Sequence, residues 1–465
     1  MGSNPATPTN SCVNIAFARP TADGTGELGL RDRMALVKPI PDGGGVASTG
    51  PAPHPGLSFL QFVVIVAALM ACNALAIDSM LPALQAIGEQ LGIVNANTRQ
   101  WIITAYLLGF GMTQIIYGTL ADRYGRKPVL LVGICIYAVA SLAASFATSF
   151  GIMMAFRVLQ GVGAAATRVL AVSIVRDCYS GRKMARVMSF AFIVFLATPI
   201  VAPSIGQAIM LVAPWPWIFR GLALFGAVLW VVVALRLPET LDEDDRLPIA
   251  ADRVARAFGA ALGNRTAVGY MLASAVVIGA LFGFINSAQQ IFADAFKAPG
   301  MFTIVFASVA MFMALSSLLN ARIVIGIGTR LVSHAALAIF TLASAIHAAI
   351  AVAGFETLWV FAIFQAVTMF CFGLVAPNFG SISMEPLGHI AGTASSVQGV
   401  VTTVGGAVIG FFIGQHFDGT VVPFTVAVTV CGASAFLIVL VTEKGRMFRP
   451  HHPVAAETRP LLEQK

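Results

Sequence analysis

Three charged residues of this sequence stand inside long apolar stretches. Asp78 interrupts "ALAIDSMLPAL", near the end of a run that is almost wholly apolar from Leu57 onward. Arg157 and Arg168 both lie within "FRVLQGVGAAATRVLAVS". Within a membrane such side chains are costly, and they usually face a bundle interior or a water-filled cavity, where they bind ions or protons. These three residues are therefore the candidates for such chemistry.

The composition indicates the elements that position them. Of the 465 residues, 58% are hydrophobic and 11% are charged, about half the charged share of a soluble domain. Many apolar blocks reach the roughly 20 residues that a helix needs to cross a bilayer. The sequence predicts an all-α membrane protein with twelve transmembrane helices in two six-helix bundles. The predicted spans are roughly 58–81, 98–120, 128–147, 150–175, 185–212, 217–237, 266–293, 300–320, 331–353, 357–384, 391–416 and 421–442.

A polar connection divides the predicted spans into two halves. Residues 238–265 separate a first bundle, 58–237, from a second bundle, 266–443. We interpret the polar, Pro- and Gly-rich segment 1–57 as a disordered cytoplasmic tail and 444–465 as a second cytoplasmic tail.

The distribution of basic residues predicts the orientation. With both termini in the cytoplasm, 23 of the 28 Lys and Arg residues fall on the inner side, as the positive-inside rule requires. Only Arg99, Arg220 and Lys297 fall on the outer side, and Arg157 and Arg168 lie within span 4. Four tryptophans fall at the predicted outer interface, as in an aromatic belt: Trp101, Trp215, Trp217 and Trp359.

Other function classes lack support in the sequence. It contains no Ser/His/Asp set, HExxH motif or phosphate-binding glycine loop, and no soluble domain that would receive a signal. Its six cysteines are scattered singly, without the CxxC spacing of a metal or disulfide framework. Its basic residues lie in short connections, which argues against nucleic-acid binding. We predict that it is not an enzyme and holds no metal or cofactor.

The loop between spans 2 and 3 carries a family signature. The stretch "GTLADRYGRKP" resembles the loop motif of the major facilitator superfamily, G-x-L-a-D-r-x-G-r-k-p. The resemblance implies a conformational latch, in which the Asp helps to hold the two halves together near the start of span 11. A loop that only sets topology would explain the basic residues but not Asp122 or the glycine spacing. The predicted latch residues are Gly118, Asp122, Arg123, Gly125, Arg126 and Asp177, the last as a partner of Arg123 or Arg126.

Span 4 carries a second resemblance. Its "RVLQGVGAA" is similar to the family motif R-x-x-q-G-x-g-a-a. Arg157, Gln160, Ala164 and Arg168 recur at helical spacing and therefore share one face. Because Arg168 lies nearer the inner surface and can extend its side chain to water, we favour Arg157 as the functional residue. The alternative for Arg157 is a donor to backbone carbonyls in helix packing.

Span 5 resembles the antiporter motif of the drug-efflux branches, g-P-x-x-G-G. The stretch "ATPIVAPSIGQAI" keeps Pro203 and Gly206, with Pro199 one turn earlier, but has Ala202 and Gln207 where glycine is usual. Pro and Gly permit bending and close packing of a membrane helix. A proline kink is common in such helices, so this motif alone does not establish antiport.

The stretch around Asp78 resembles one particular branch of this superfamily. "AIDSMLPALQAIGEQLG" looks like the end of the first helix in the Bcr/CflA branch of bicyclomycin- and chloramphenicol-type resistance transporters. Asp78 lies about 20 residues from the cytoplasmic end of span 1, and Arg157 about seven from the outer end of span 4, so both reach a similar depth. We predict that they share a cavity and couple protons. The alternative for Asp78 is a partly hydrated acid at the outer helix end.

Neutral polar residues in the spans complete the predicted site. Isolated amides often only join helices, so packing is the alternative to lining for each of them. The predicted substrate-cavity residues are Asn73, Gln160, Asn286, Gln289, Gln365, Met369 and Gln398.

Together these features predict a proton-coupled efflux antiporter that works by alternating access. We expect it to act as a monomer in the inner membrane of a bacterium, to export a small amphipathic or cationic molecule, and to use the proton gradient. The alternative is a proton-coupled uptake symporter. Spans 7–12 hold no mid-span ionisable side chain except two histidines, which favours efflux.

Overall fold

The computed structural model describes residues 57–179, 181–246 and 251–448. In these ranges it is all helical, without strands, and twelve helices are long and apolar enough to span a membrane. The predicted fold class is therefore confirmed. The helices are α1 Phe59–Asp78, α2 Trp101–Tyr124, α3 Arg126–Ala144, α4 Phe150–Cys178, α5 Gly181–Val212, α6 Pro216–Arg236, α7 Arg265–Gln290, α8 Phe302–Ile327, α9 Thr329–Val352, α10 Leu358–Met384, α11 Ala391–Gln415 and α12 Val422–Thr442.

Three elements differ from the predicted boundaries. The helix α8 continues to Ile327, beyond the predicted end of span 8 near residue 320. The first span ends as a regular helix at Asp78 and continues through a 3₁₀ turn, Leu81–Ala83, into a short helix, Leu84–Gln90. The 3₁₀ turn begins next to Pro82, which cannot donate a backbone hydrogen bond. The polar connection between α6 and α7 contains a helix, Ala251–Gly263. The predicted tails lie outside the described residues except Leu57 and 444–448.

Polar side chains fix where several helices begin. Ser58, Ser149, Asn264 and Thr357 each accept a hydrogen bond from a backbone N–H in the first turn of α1, α4, α7 and α10. The first N–H groups of a helix have no partner within it, so such caps stabilise the helix start.

The two halves repeat one turn and one packing pattern. Gly125, between α2 and α3, has φ 96° and ψ 158°, and Gly328, between α8 and α9, has φ 91° and ψ 149°. Side chains with a Cβ rarely adopt such a positive φ. The contacts of α1 with α5, α2 with α4, and α3 with α4 and α6 recur as α7 with α11, α8 with α10, and α9 with α10 and α12.

The most extensive helix–helix contacts between the first six helices and the last six are those of α2 with α11 and of α5 with α8. We call the end of the bundle where α2 ends and α3 begins the basic end, because the predicted inner loops lie there. We call the other end, where α1 and α7 finish, the opposite end.

The tryptophans at the opposite end divide into two groups. Trp101, Trp217 and Trp359 are exposed on the surface of the bundle, in agreement with an aromatic belt. Trp215 is buried instead, and its indole N–H donates to Gln90 Oε1 at 2.6 Å. A buried indole N–H needs such a partner, and Gln90 is the last residue of the short helix after Asp78.

Candidate functional site

A central cavity of about 610 Å³ lies between the first six helices and the last six. Side chains of α1, α2, α4 and α5 line it on one side, and side chains of α7, α8, α10 and α11 line it on the other. Its wall includes Asp122, Arg126 and Arg176 at the basic end and reaches Asp78 in its interior. A cavity of this size is typical for small-molecule binding.

Asp78 is the last residue of α1, and its side chain lines this cavity. The residue is 4% exposed. Among the described residues its carboxyl group has no hydrogen-bond donor and no basic partner. A charged carboxylate without such partners is costly to keep away from water. The group is therefore suited to hold a proton in one state and a cation in another.

Arg157 is also buried, but it does not line the cavity. Its guanidinium donates to the Ile102 carbonyl oxygen at 2.9 Å, to the Ala76 carbonyl oxygen at 3.2 Å and to Gln160 Oε1 at 2.5 Å. It also lies over the Tyr106 ring. These contacts tie α4 to α1 and α2. Arg157 forms no ion pair with Asp78, and its geometry matches the packing alternative.

Arg168 lies in the cavity wall, although the sequence favoured Arg157 as the functional residue of span 4. Its side chain is exposed to the cavity and lies over the Phe195 ring of α5. Across the described ranges, its guanidinium has no hydrogen-bond acceptor or carboxylate partner. Helical spacing places Arg157 and Arg168 on one face of α4. Neighbouring helices bury this face at the level of Arg157 but leave it open to the cavity at the level of Arg168.

The predicted latch residues assemble at the basic end around Arg126. Its guanidinium contacts Asp122 at 2.6 Å and Asp177 at 3.0 Å, so the structure selects Arg126 among the two partners predicted for Asp177. Arg123 is exposed and has no ion pair in the part of the chain that the structure describes. Gly118 lines the cavity beside α11.

Glu239 completes this network, and the sequence analysis missed it. Its carboxylate accepts hydrogen bonds from the backbone N–H groups of Arg126, at 2.8 Å, and Lys127, at 3.1 Å. The first N–H groups of α3 thereby bind a carboxylate, as expected at a helix N-terminus. The available signal was an acid directly after Pro238 at the end of span 6.

The second half contains a similar network. Arg330, two residues after Gly328, pairs with Glu385 at 2.9 Å and with Glu443 at 3.2 Å. Tyr270 donates to Glu443 Oε1 at 2.7 Å and lies 2.8 Å from His334 Nε2. This network links α7, α9, α10 and the end of α12, and it gives His334 a structural setting away from the cavity.

The predicted antiporter motif contacts the segment that carries Asp78. Pro199 lines the cavity and Pro203 is buried within α5. A Cβ atom on Gly206 would overlap the carbonyl oxygen of Ser79. Glycine is therefore required for the close approach of α5 to the end of α1.

The other predicted cavity residues divide between the wall and the packing. Asn73, Met369 and Gln398 line the cavity, and Asn73 also accepts a hydrogen bond from Tyr106. Four predicted residues are not among its lining side chains: Gln160, Asn286, Gln289 and Gln365. Of these, Gln160 bridges Arg157 and Ser141. Asn286 is buried, and neither amide atom has a partner among the described residues.

Four amides close the opposite end of the bundle, beyond the cavity. Gln290 accepts from Gln100 at 2.5 Å and donates to Asn97 at 2.9 Å, and Gln415 donates to the Asn97 carbonyl oxygen at 2.7 Å. We call Asn97, Gln100, Gln290 and Gln415 the amide cluster. It joins the short 3₁₀ segment before α2, Ala96–Gln100, to the ends of α7 and α11.

A second concave surface, of about 760 Å³, lies between α8, α9 and α10. Its lining is apolar except for Ser308, whose hydroxyl donates to the Ile304 carbonyl oxygen. With no charged lining residue, this surface has the character of a lipid-facing groove, so the central cavity is the candidate site.

Comparison with known proteins identifies the family. A model of the Major Facilitator Superfamily matches residues 66–410. The chain belongs to the major facilitator superfamily. It is a multi-pass membrane transporter and not an enzyme.

The similar proteins carry transport or drug-resistance names. The "Uncharacterized MFS-type transporter YdgK" of Bacillus subtilis is 30% identical over 381 residues, which cover 79% of this chain and 92% of the relative. The "Bicyclomycin resistance protein homolog" of Haemophilus influenzae is 29% identical, covering 80% and 93%. "Multidrug resistance protein MdtL" of Escherichia coli is 26% identical, covering 85% and 98%. These names agree with the resemblance to the Bcr/CflA branch.

Solved structures share the fold at low identity. The human organic anion transporter MFSD10 aligns with a TM-score of 0.61 and 17% identity, over 82% of this chain and all of that one. The E. coli xylose transporter XylE, in a partially occluded inward-open conformation, aligns with a TM-score of 0.64 and 10% identity, over 82% and 97%. At these identities the likeness supports the fold alone.

Proposed function

We propose that this transporter is a proton-coupled efflux antiporter for small molecules, and that Asp78 is its coupling acid. The observation that carries the proposal is the position of Asp78, whose carboxyl group has no partner in the described residues and lines the central cavity. A proton and a cationic group of the substrate then compete for one carboxylate, and this competition links their opposite movements. The proton gradient supplies the energy, and the cycle needs no cofactor.

The arrangement of the two ends supports alternating access. The cavity reaches the basic end, whereas the amide cluster joins the two halves at the opposite end. The positive-inside rule assigns the basic end to the cytoplasm, so the cavity collects its substrate from the cell interior. We propose the inner membrane of a bacterium as its location, with both termini cytoplasmic and one chain as the transporting unit.

The relatives support the direction of transport. Two of them are named for bicyclomycin or multidrug resistance, and resistance by transport requires movement out of the cell. The xylose–proton symporter among the solved structures shares the fold, so the fold alone fits uptake equally well. The names favour efflux, and so does the absence, among the described residues, of charged side chains from the cavity walls of α7, α8, α10 and α11.

The test is a drug-susceptibility panel in an efflux-deficient bacterial host. We expect wild type to raise the inhibitory concentration of at least one panel compound and Asp78→Asn to remove that protection. Asp242→Asn, the same change at an exposed residue of the α6–α7 connection, is the control. Equal protection by wild type and Asp78→Asn would exclude Asp78 as the coupling acid. If wild type protects against nothing but speeds growth on a nutrient, the protein is an uptake symporter.

A further inference from the structure

The charged side chains of the central cavity are unevenly distributed. Among the described residues, five charged side chains line it, all from the first half of the chain: Asp78, Asp122, Arg126, Arg168 and Arg176. Arg126 pairs with Asp122 and Asp177, which leaves Asp78, Arg168 and Arg176. Since Arg176 lies two turns nearer the basic end than Arg168, Asp78 and Arg168 are the charges deeper in the cavity.

Arg168 has the properties of a binding group rather than a packing group. Arg157, on the same helix, has three acceptors within hydrogen-bond distance. Arg168 has none among the described residues, and its guanidinium points into the cavity over an aromatic ring. A guanidinium presents a fork of donors that matches a carboxylate, sulfonate or phosphate.

Asp78 is too distant to be the partner of Arg168 in this state. Asp78 lies 19 residues from the start of α1 and Arg168 lies 10 residues from the end of α4, both counted from the basic end. At about 1.5 Å per residue, their levels in the bundle differ by about 13 Å. This separation leaves the two opposite charges free to bind two ends of one small molecule.

We infer that the exported molecule is amphoteric, with an acidic group that binds the Arg168 guanidinium and a cationic group that binds the Asp78 carboxylate. The inference rests on the proposed antiport. An anion alone would bind best with Asp78 protonated, so proton and substrate would move together. A cationic group that displaces the proton from Asp78 restores exchange, and Arg168 adds selectivity for molecules that also carry an acid.

Two dyes with one scaffold separate these possibilities. Rhodamine 110 carries a cationic ring system and a free carboxyl group, and rhodamine 123 is its methyl ester. We expect wild type in an efflux-deficient host to export rhodamine 110 in preference to rhodamine 123. Arg168→Gln should lower this preference at least about tenfold, the loss expected when a charge-assisted bidentate pair is removed. Arg168→Lys keeps the positive charge but not the forked guanidinium. Its preference for rhodamine 110 should therefore lie between those of wild type and Arg168→Gln.

Controls separate binding from folding. Arg236→Gln removes an exposed arginine at the same end of the bundle and outside the cavity, and it should keep the wild-type preference. Membrane abundance and a single symmetric peak in size-exclusion chromatography establish that Arg168→Gln is folded. Retention of rhodamine 110 by cells with wild type, or an unchanged preference in Arg168→Gln, overturns the inference. If instead no compound of the susceptibility panel is exported, the proposed efflux function fails as well.

Discussion

Arg157 illustrates how one residue type serves two purposes on a single helix. Its guanidinium lies wholly inside the first six helices, with acceptors from α1, α2 and α4. Two of these acceptors are backbone carbonyls, which are not available to pair with a substrate. We therefore expect Arg157 to contribute to stability and Arg168 to selectivity.

Replacing Arg157 should destabilise the protein. Arg157→Leu leaves the Ile102 and Ala76 carbonyl oxygens and the Gln160 amide without their donor. We expect a loss of about 3 kcal/mol in the free energy of unfolding. The loss appears as a lower melting temperature of the detergent-solubilised protein, and Arg236→Leu serves as the control. A variant with unchanged melting temperature and no transport would instead place Arg157 in proton coupling.

The contact of α5 with the end of α1 joins the segment predicted as an antiporter motif to the segment that carries Asp78. Gly206 packs closely against the Ser79 carbonyl oxygen, and Ser79 follows Asp78. A movement of α5 would therefore act on the residue next to the proposed coupling acid. The wall formed by Pro199 adjoins the same region of the cavity.

A methyl group at this contact should separate the two helices. In Gly206→Ala the new Cβ overlaps the Ser79 carbonyl oxygen, and such overpacking typically costs about 1–3 kcal/mol. We expect lower thermal stability and reduced drug export. Gly221→Ala in α6, where a Cβ meets no atom within 4 Å, is the matched control and should keep both properties. If Gly206→Ala and Gly221→Ala have the same thermal stability and the same drug export, the close contact of Gly206 with Ser79 is not important for transport.

The networks at the basic end repeat between the halves with different sequences. In the first half Arg126 follows Gly125, and in the second half Arg330 follows Gly328 with Thr329 between them. Each arginine pairs with acids at the ends of later helices. The chemistry of this position is retained although "GTLADRYGRKP" and "SLLNARIVIGIGTRLV" have little else in common.

For the whole molecule, the amide cluster explains how the opposite end closes without ion pairs among its members. Neutral hydrogen bonds contribute about 1 kcal/mol each, so a few of them hold the halves together yet permit opening. The same amides that bond the segment before α2 to α7 and α11 can be hydrated when the end opens. This balance suits a transporter that alternates between two states.

Weakening the amide cluster should favour opening at the opposite end. Gln290→Ala removes the bonds to Gln100 and Asn97, about 2 kcal/mol in total. In a background without other cysteines, Asn73→Cys reports access to the cavity through labelling by a membrane-impermeant maleimide applied from the outside. We expect labelling to accelerate about tenfold or more in Gln290→Ala.

The exposed amide Gln207 provides the control for this experiment. Gln207→Ala removes a side chain of the same chemistry from α5 near the same end of the bundle, and this side chain has no hydrogen bond to the other described residues. Its labelling rate should match that of the parent protein. Equal rates in Gln290→Ala and Gln207→Ala would show that the cluster does not hold this end closed.

The sequence predicted the twelve helices and much of the basic-end network, because both depend on local patterns. Apolar length specifies a span, and the acids and bases of the loop motif stand close together in the chain. The different roles of Arg157 and Arg168 could not be predicted from the sequence. Helical spacing shows that the two residues share a face of α4, but it does not show which part of that face neighbouring helices bury. The amide cluster joins Asn97 to Gln415 across 318 residues, and no local pattern indicates such a contact.

The proposed coupling of substrate movement to the proton gradient by Asp78 can be measured directly. The measurement uses purified protein in proteoliposomes with an acidic interior and the most strongly exported panel compound outside. Wild type and Asp242→Asn are predicted to accumulate the compound above its outside concentration until the gradient is dissipated. Asp78→Asn is predicted to equilibrate it without accumulation. Accumulation by Asp78→Asn to the wild-type level would show that Asp78 does not couple transport to protons.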